Sequence, residues 1–466
     1  MANYNRAVLL LSVAALCYGV MATEFYYEDR TAETTTTAER EDRFLLQDSK
    51  HVIKTDAGDV RVVKTYGGKL IDRPMHIGFI TMEPKSLFVP QYLDSSLILF
   101  IRRGEARIGL IYKDELAERR LKIGDVYRIP AGSAFYLINT GEGQRLHVVC
   151  SIDPSESLGL GLFQSFFLGG GTYPTSVLAG FEPETLSTAF NVTIDELKDV
   201  MGSQRQGPII YIDDSRAPRI WRSFIKMEEQ EKLNHLKKMM PTFQIVEEEE
   251  NIASWSWRKL LQSVIGREKK RETKGKSPDS YNLYKRSPDF RNNYGSSVAL
   301  DESSYDPLKN SGIGVYLVNL TGGSMMAPHV NPTATEYGIV LRGSGIIQIV
   351  YPNGTQAMNT KVKEGDVFMV PRYFPFCQIA SRTGPFEFFG FTTSARRNRP
   401  QFLAGANSLL SNIGGPELAA AFGTTEGRLR GFVDAQREAV ILPSASAAPP
   451  DKVVKKGIDG FGKNDI

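Results

Sequence analysis

The chain has 466 residues, 41% of them hydrophobic and 23% charged, enough for two to four domains with a sizeable core. Its formal net charge is only +3, which gives no reason to expect nucleic acid or an anionic membrane surface as a partner. Three cysteines, Cys17, Cys150 and Cys377, exclude a disulfide framework.

At the N-terminus Arg6 precedes an apolar run from Ala7 to Val20, and Val20-Met21-Ala22 supplies the small residues of a cleavage site. The run is too short to span a bilayer comfortably. Residues 1–22 therefore read as a secretory signal peptide cut after Ala22, and no later stretch is apolar and long enough for a membrane anchor. Three Asn-x-Ser/Thr sequons suit that route and make Asn191, Asn319 and Asn353 candidate glycosylation sites. Residues 23–50 are polar and read as a flexible arm.

From residue 51 short β-type runs alternate with turn residues: Val60–Val63, Ile77–Thr81, Leu97–Ile101, Ala106–Ile111, Asp125–Ile129 and Leu146–Ser151. Their spacing predicts an antiparallel sandwich or barrel. A helical stripe follows over Glu184–Met201, carried by Leu186, Phe190, Leu197 and Val200, and closes a unit at 51–215. Residues 216–280 break the pattern. They hold a charged helical stretch over 224–240, an acidic run at Glu247–Glu250, a second helical stretch after Asn251 and a basic, aperiodic run at Arg267–Pro278. This region reads as a solvated linker, with 266–280 the first site of tryptic cutting. From Tyr281 the β-pattern resumes, a helical stretch runs from Pro416 to about Ala439 to complete a unit at 281–445, and 446–466 form a tail.

The two units repeat. Ile123-Gly-Asp-Val-Tyr-Arg-Ile-Pro130 matches Glu364-Gly-Asp-Val-Phe-Met-Val-Pro371 at an offset of about 240 residues, and Leu186-Ser-Thr-Ala-Phe190 matches Leu418-Ala-Ala-Ala-Phe422. In each unit Gly-Asp turns the chain into a buried strand that Pro then ends, since Pro cannot donate to a ladder.

The second unit spaces Gly323, His329, Asn331, Glu336 and Gly343, then Gly365 and Pro371, as the two cupin motifs do. Tyr281–Pro288, Ala327-Pro-His-Val-Asn-Pro332, Val370-Pro-Arg-Tyr-Phe-Pro375 and Phe391–Gly405 extend that likeness. The chain resembles the vicilin-like 7S seed storage globulins over about 51–445. The resemblance implies a mainly β fold of two tandem double-stranded β-helix (jelly-roll) barrels, each followed by a helical extension. It also implies a homotrimer joined through those extensions, and a non-catalytic nitrogen and carbon reserve in the protein storage vacuole, with the extracellular space as the alternative destination. The Leu186/Phe190 and Leu418/Phe422 stripes are the natural docking surfaces, unless they pack on their own barrels. With 18 Asn and 14 Gln the amide content is ordinary, which points to a minor vicilin-like member rather than a bulk globulin.

Against the motif, the first unit has lost its chemistry. Gln91, Leu93 and Leu97 stand where His, His and Glu are usual, and Phe135 replaces the last His, so these residues should fill the barrel mouth as core. The second unit keeps His329 and Glu336, with Asn331 in place of one His and Phe376 in place of another. Cys377 lies one residue beyond that last position. His329, Glu336, Cys377 and Asn331 are thus the candidate ligands for copper or zinc. Strand alternation argues against Cys377: with Phe376 inward it points outward unless Tyr373-Phe374-Pro375 shifts the register. Otherwise His329 and Glu336 hydrogen-bond each other in a polar pocket open to a small-molecule ligand. Iron oxidase chemistry needs a fuller ligand set, and no cofactor is required.

Overall fold

The computed structural model describes residues 43–65, 74–112, 115–157, 161–212, 279–444 and 446–450. The expected signal peptide, the arm up to residue 42 and nearly all of the 216–280 linker, including both of its helical stretches, lie outside the described residues.

The run Leu97–Ile101 is apolar at every position, which a strand requires when both of its faces are covered. Leu97, Leu99 and Ile101 enter the core of the first barrel, while Ile98 and Phe100 enter a larger core shared with the second. Val126 and Tyr127 divide in the same way on the adjoining strand Asp125–Ile129. The sheet holding these strands runs Ser49–Thr55, Gly58–Val63, His76–Met82, Leu146–Ile152, Leu97–Arg103, Asp125–Ile129 and Tyr281–Asn282, antiparallel between neighbours. A second sheet, centred on Ser86–Leu93, Phe135–Asn139 and Glu105–Tyr112, closes the barrel.

The second barrel repeats this plan around one 15-residue strand, Glu336–Val350. Its first half pairs with Phe386–Thr392 and Val367–Val370, its second half with Gln356–Lys363 and Pro375–Ala380. The strand turns the corner at Gly343, where φ is +82° and an added Cβ would sit 1.7 Å from the Pro385 carbonyl oxygen. No other residue fits there. Gly104, at φ +86°, makes the equivalent corner in the first barrel.

The barrels meet face to face. The Phe100 and Phe389 rings stack at 4.0 Å between centroids, and Arg102 Nη2 donates to the Leu341 carbonyl at 2.9 Å while pairing with Glu364. Each barrel also takes its neighbour's leading segment. Leu46 N donates to Val367 O at 2.8 Å, Met369 N donates to Phe44 O at 2.7 Å, and Phe44 is fully buried. Reciprocally, Tyr281–Asn282 pair with Asp125–Val126, and Leu283 N donates to Gly124 O at 2.9 Å. Residues 43–50, expected in a flexible arm, are thus ordered, and the second unit, expected to start at 281, opens with two residues paired to the first barrel's sheet. The apolar trio Phe44-Leu45-Leu46 is the physical reason, because leaving it in water would forfeit its burial.

The helical stretch expected over Glu184–Met201 is two helices, Pro183–Phe190 and Ile194–Gly202. Asn191 breaks it in a left-handed conformation at φ +55°, and the Thr193 hydroxyl caps the second helix by accepting from Glu196 N at 3.2 Å. The stretch after Pro416 is likewise Pro416–Ala421 and Glu426–Val433, preceded by Leu409–Ile413, with Gly423 at φ +59° between the last two.

Candidate ligand pocket of the second barrel

His329 begins a two-residue strand that pairs with Pro375–Ala380, so its side chain enters the barrel opposite Phe376, ring centroids 4.1 Å apart. Its Nδ1 donates to the Ala327 carbonyl at 2.7 Å, which leaves Nε2 without a proton on the neutral ring. Burial pushes the imidazole down to about 4, only partly opposed by that carbonyl. Glu336, which starts the long strand, is also buried, and desolvation raises its carboxyl to about 7 against the hydrogen bond from Asn331 and the influence of the Tyr316 hydroxyl. Burial thus favours the neutral forms of both groups on the pocket floor.

Asn331 is fully committed to its turn. Its Nδ2 donates to Glu336 Oε1 at 2.7 Å, while its Oδ1 accepts from Thr333 N, Thr333 Oγ1 and Ala334 N at 3.0–3.1 Å. The carboxylate is thus held by Asn331 and not by His329, as the sequence reading had allowed.

Cys377 lies on the other face of its strand. The register sets Phe376 against His329 and Cys377 against Gln348, and Cys377 Sγ donates to Gln348 Oε1 at 3.5 Å. There it packs with Ile379 and Ala448, and burial raises its thiol to about 12. The register shift that would have turned it inward does not occur. Tyr373 takes the φ of +73° that glycine would supply, so the loop keeps its length without one.

These residues do not fit a copper or zinc ion. Removing Cys377 and the committed Asn331 leaves His329 Nε2 and Glu336, short of the three or four strong donors those ions take. Among the described residues no group of three His, Cys, Asp or Glu side chains is placed to hold a metal.

What the barrel does hold is a cavity of about 520 Å³. Tyr316, His329, Glu336 and Gln378 line its interior, and the Tyr316 hydroxyl and Gln378 Oε1 are buried without a formed hydrogen bond among the described residues. Its lining also includes four arginines, Arg286, Arg396, Arg397 and Arg399. Arg286 pairs with Asp289 at 3.2 Å, and the other three are exposed. Gln378 was legible from alternation, two residues beyond the inward Phe376. Arg396 and Arg397 lie in the stretch that carried the family likeness, but nothing in it signals that they turn back to the barrel mouth. In the first barrel Gln91, Leu97 and Phe135 help to line a cavity of only about 30 Å³, with neither Gln91 amide atom hydrogen-bonded among the described residues.

Known proteins agree with this architecture. The family model described as Cupin matches residues 44–197 and 281–430, one copy per barrel. A vicilin-like seed storage protein of Arabidopsis thaliana is 59% identical over 87% of this chain and 81% of its own. The chain is a cupin of the vicilin-like seed storage proteins. A second such protein of the same plant is 32% identical over 85% of this chain, which spans about half of that relative. Among solved structures, vicilin from Capsicum annuum superposes with a TM-score of 0.69 at 22% identity, covering 86% of this chain and 99% of its own. A vicilin from Solanum melongena, described with different anionic ligands in structurally similar pockets, does so at 0.68 and 20% identity, over 86% of this chain and 97% of its own. This vicilin-like cupin thus has both expected barrels and both helical extensions. Among the described residues no helix is long and apolar enough to cross a membrane.

Proposed function

We propose that the protein is a seed reserve, a non-catalytic nutrient globulin that follows the secretory pathway to the protein storage vacuole. The observation that carries this reading is the 59% identity to a vicilin-like seed storage protein across most of both chains. The reading includes signal cleavage after Ala22, glycans at Asn191, Asn319 and Asn353, and a homotrimer joined through the helical extensions. All three asparagines are exposed, which supports their availability. Exposed Phe190 and Val200 in the first extension and Ile413, Phe422 and Phe432 in the second support the assembly, since large exposed apolar groups favour a partner surface. Fractionation of maturing and germinating seeds tests the function: accumulation in storage vacuoles followed by proteolytic loss on germination is expected, and a constant level through germination overturns it.

A second role is favoured by the arginines lining the second barrel's cavity: retention of a small anion. Guanidinium groups suit carboxylate and phosphate geometry. Calorimetric titration with acetate and with phosphate should give saturable binding that Arg396→Ser with Arg397→Ser weakens; equal or absent heats in both proteins reject it.

A further inference from the structure

The threonines of the three Asn-x-Thr triplets are put to different uses. Asn191 ends the helix Pro183–Phe190, its N–H turned onto the Ser187 and Thr188 carbonyls, while the Thr193 hydroxyl accepts from Glu196 N to cap the next helix. Asn319 lies in the strand Gly314–Leu320, paired on one side with Ser296 and on the other with Glu387. Its neighbours Val318 and Leu320 are buried, and Thr321 donates through both its N–H and its hydroxyl to the Tyr294 carbonyl, at 3.0 and 3.1 Å. At Asn353 the threonine turns back on its own asparagine: Thr355 N and Oγ1 donate to Asn353 Oδ1 at 3.1 and 2.7 Å.

That turn is closed by its own backbone. Tyr351 N donates to Thr355 O at 2.8 Å and Gly354 N donates to Tyr351 O at 2.9 Å. Gly354 supplies the left-handed residue, at φ +83°. Residues 352–356 are all exposed, at the tip of the hairpin formed by Glu336–Val350 and Gln356–Lys363. An asparagine whose Oδ1 accepts from the residue two places on imitates a backbone turn, and such a turn forms without help from distant parts of the chain. The two donors also draw electron density onto Oδ1, which makes a proton on Nδ2 easier to surrender.

We propose that Asn353 is the one of these three acceptors that the folded chain still offers to a glycosyltransferase, whereas Asn191 and Asn319 accept a glycan only before their segments fold. The inference rests on the secretory route proposed above. In the transfer Asn353 Nδ2 bonds to the anomeric carbon of a diphosphate-linked oligosaccharide. The bond from that carbon to the diphosphate oxygen breaks, the diphosphate leaves with the electron pair, and Nδ2 gives one proton to a base of the transferase. Once folded, Asn319 can reach such an enzyme only by leaving a sheet that holds its backbone on both sides. Asn191 can do so only by giving up the end of one helix and the cap of the next. Asn353 needs neither step.

Full-length protein made in bacteria without glycans, then treated with a purified oligosaccharyltransferase and a lipid-diphosphate-linked oligosaccharide, tests this, with occupancy read by glycopeptide mass spectrometry. In the folded protein Asn353 should be modified about tenfold faster than Asn191 or Asn319, because the other two must wait for local opening. In peptides cut from the same protein the three rates should lie within about threefold, since no opening is then required. Gly354→Ala keeps the triplet, and its Cβ meets nothing within 4 Å, but it opposes the φ of +83°. It should slow transfer to Asn353 in the folded protein and leave the peptide rate unchanged. Equal rates at the three sites of the folded chain overturn the proposal, as does an unmodified Asn353 or a Gly354→Ala rate equal to the parent's. Because the components are purified, the outcome does not depend on the route in the seed: glycan-free protein from seeds would reject the secretory reading and leave the acceptor order standing.

Discussion

His329 and Glu336 face one another across a pocket with opposite debts to burial. Glu336 is raised from 4.5 to about 7, so folding favours its protonated form; that contribution is complete below pH 4.5 and is lost as pH rises through 7. His329 is lowered from 6.5 to about 4, so folding favours its neutral form, and that contribution grows as pH rises from 4 to 6.5. Each is on the order of 3 kcal/mol. Between 4.5 and 6.5 they oppose one another, so removing either group should tilt the melting profile away from the parent's in opposite directions. Glu336→Gln should leave a melting temperature that climbs from pH 4 to 6.5, and His329→Gln one that falls from 4.5 to 7; parallel profiles for the two variants would contradict the burial of either group. Metal content offers a second check at this scale. Purified protein, His329→Ala and Cys377→Ser should all contain far less than one copper or zinc per chain, and stoichiometric metal lost in either variant would reinstate a site the geometry lacks.

The elements report how the barrels are tied. Phe44 is inserted beneath the second barrel although it precedes the first, with its ring 6.0 Å from those of Tyr351 and Phe374. Phe44→Ala should cost about 3–5 kcal/mol and should speed hydrogen exchange of 367–369 before that of the corresponding first-barrel strand. A uniform change across both barrels would show that the segment does not act locally. The central strands were legible, because period-two and continuous apolar runs both survive tertiary packing, whereas Ser86–Leu93, Phe135–Asn139 and the charged Glu115–Lys122 were not read as strands. The crosswise pairing of 44–46 and 281–283 was not, since three apolar residues after a polar stretch do not name the sheet that receives them. The helix breaks at Asn191 and Gly423 were missed for a related reason: the apolar stripe continues through them, and only the left-handed backbone at each reveals the turn.

At the scale of the molecule, the large exposed apolar residues of the helical extensions call for a partner. Phe432 is 73% exposed and Val200 68%. If these faces join copies of the chain, Phe432→Asp with Val200→Asp should convert a trimer to a monomer in sedimentation while leaving far-UV circular dichroism unchanged. An unaltered mass in the double variant would move the contact elsewhere. The shared core between the barrels should be untouched by this change, so each chain should still unfold as one unit.

The sequence alone determined that this is a duplicated, mainly β chain, because glycine corners, proline stops and apolar periodicity are local requirements written one residue at a time, while the vicilin type came from the likeness of its motif loops. It also determined that the first barrel's motif is chemically empty, since Leu97 and Phe135 offer no donor atoms. Only the tertiary structure decided what remains in the second. The choice between Phe376 and Cys377 turned on a one-residue register set by pairing with His329, and a strand's faces exchange completely on such a slip. Likewise, arginines distant in sequence become one pocket lining only when the chain folds back over the barrel mouth. Contacts between residues far apart in sequence depend on register and path, and neither is encoded in composition or period.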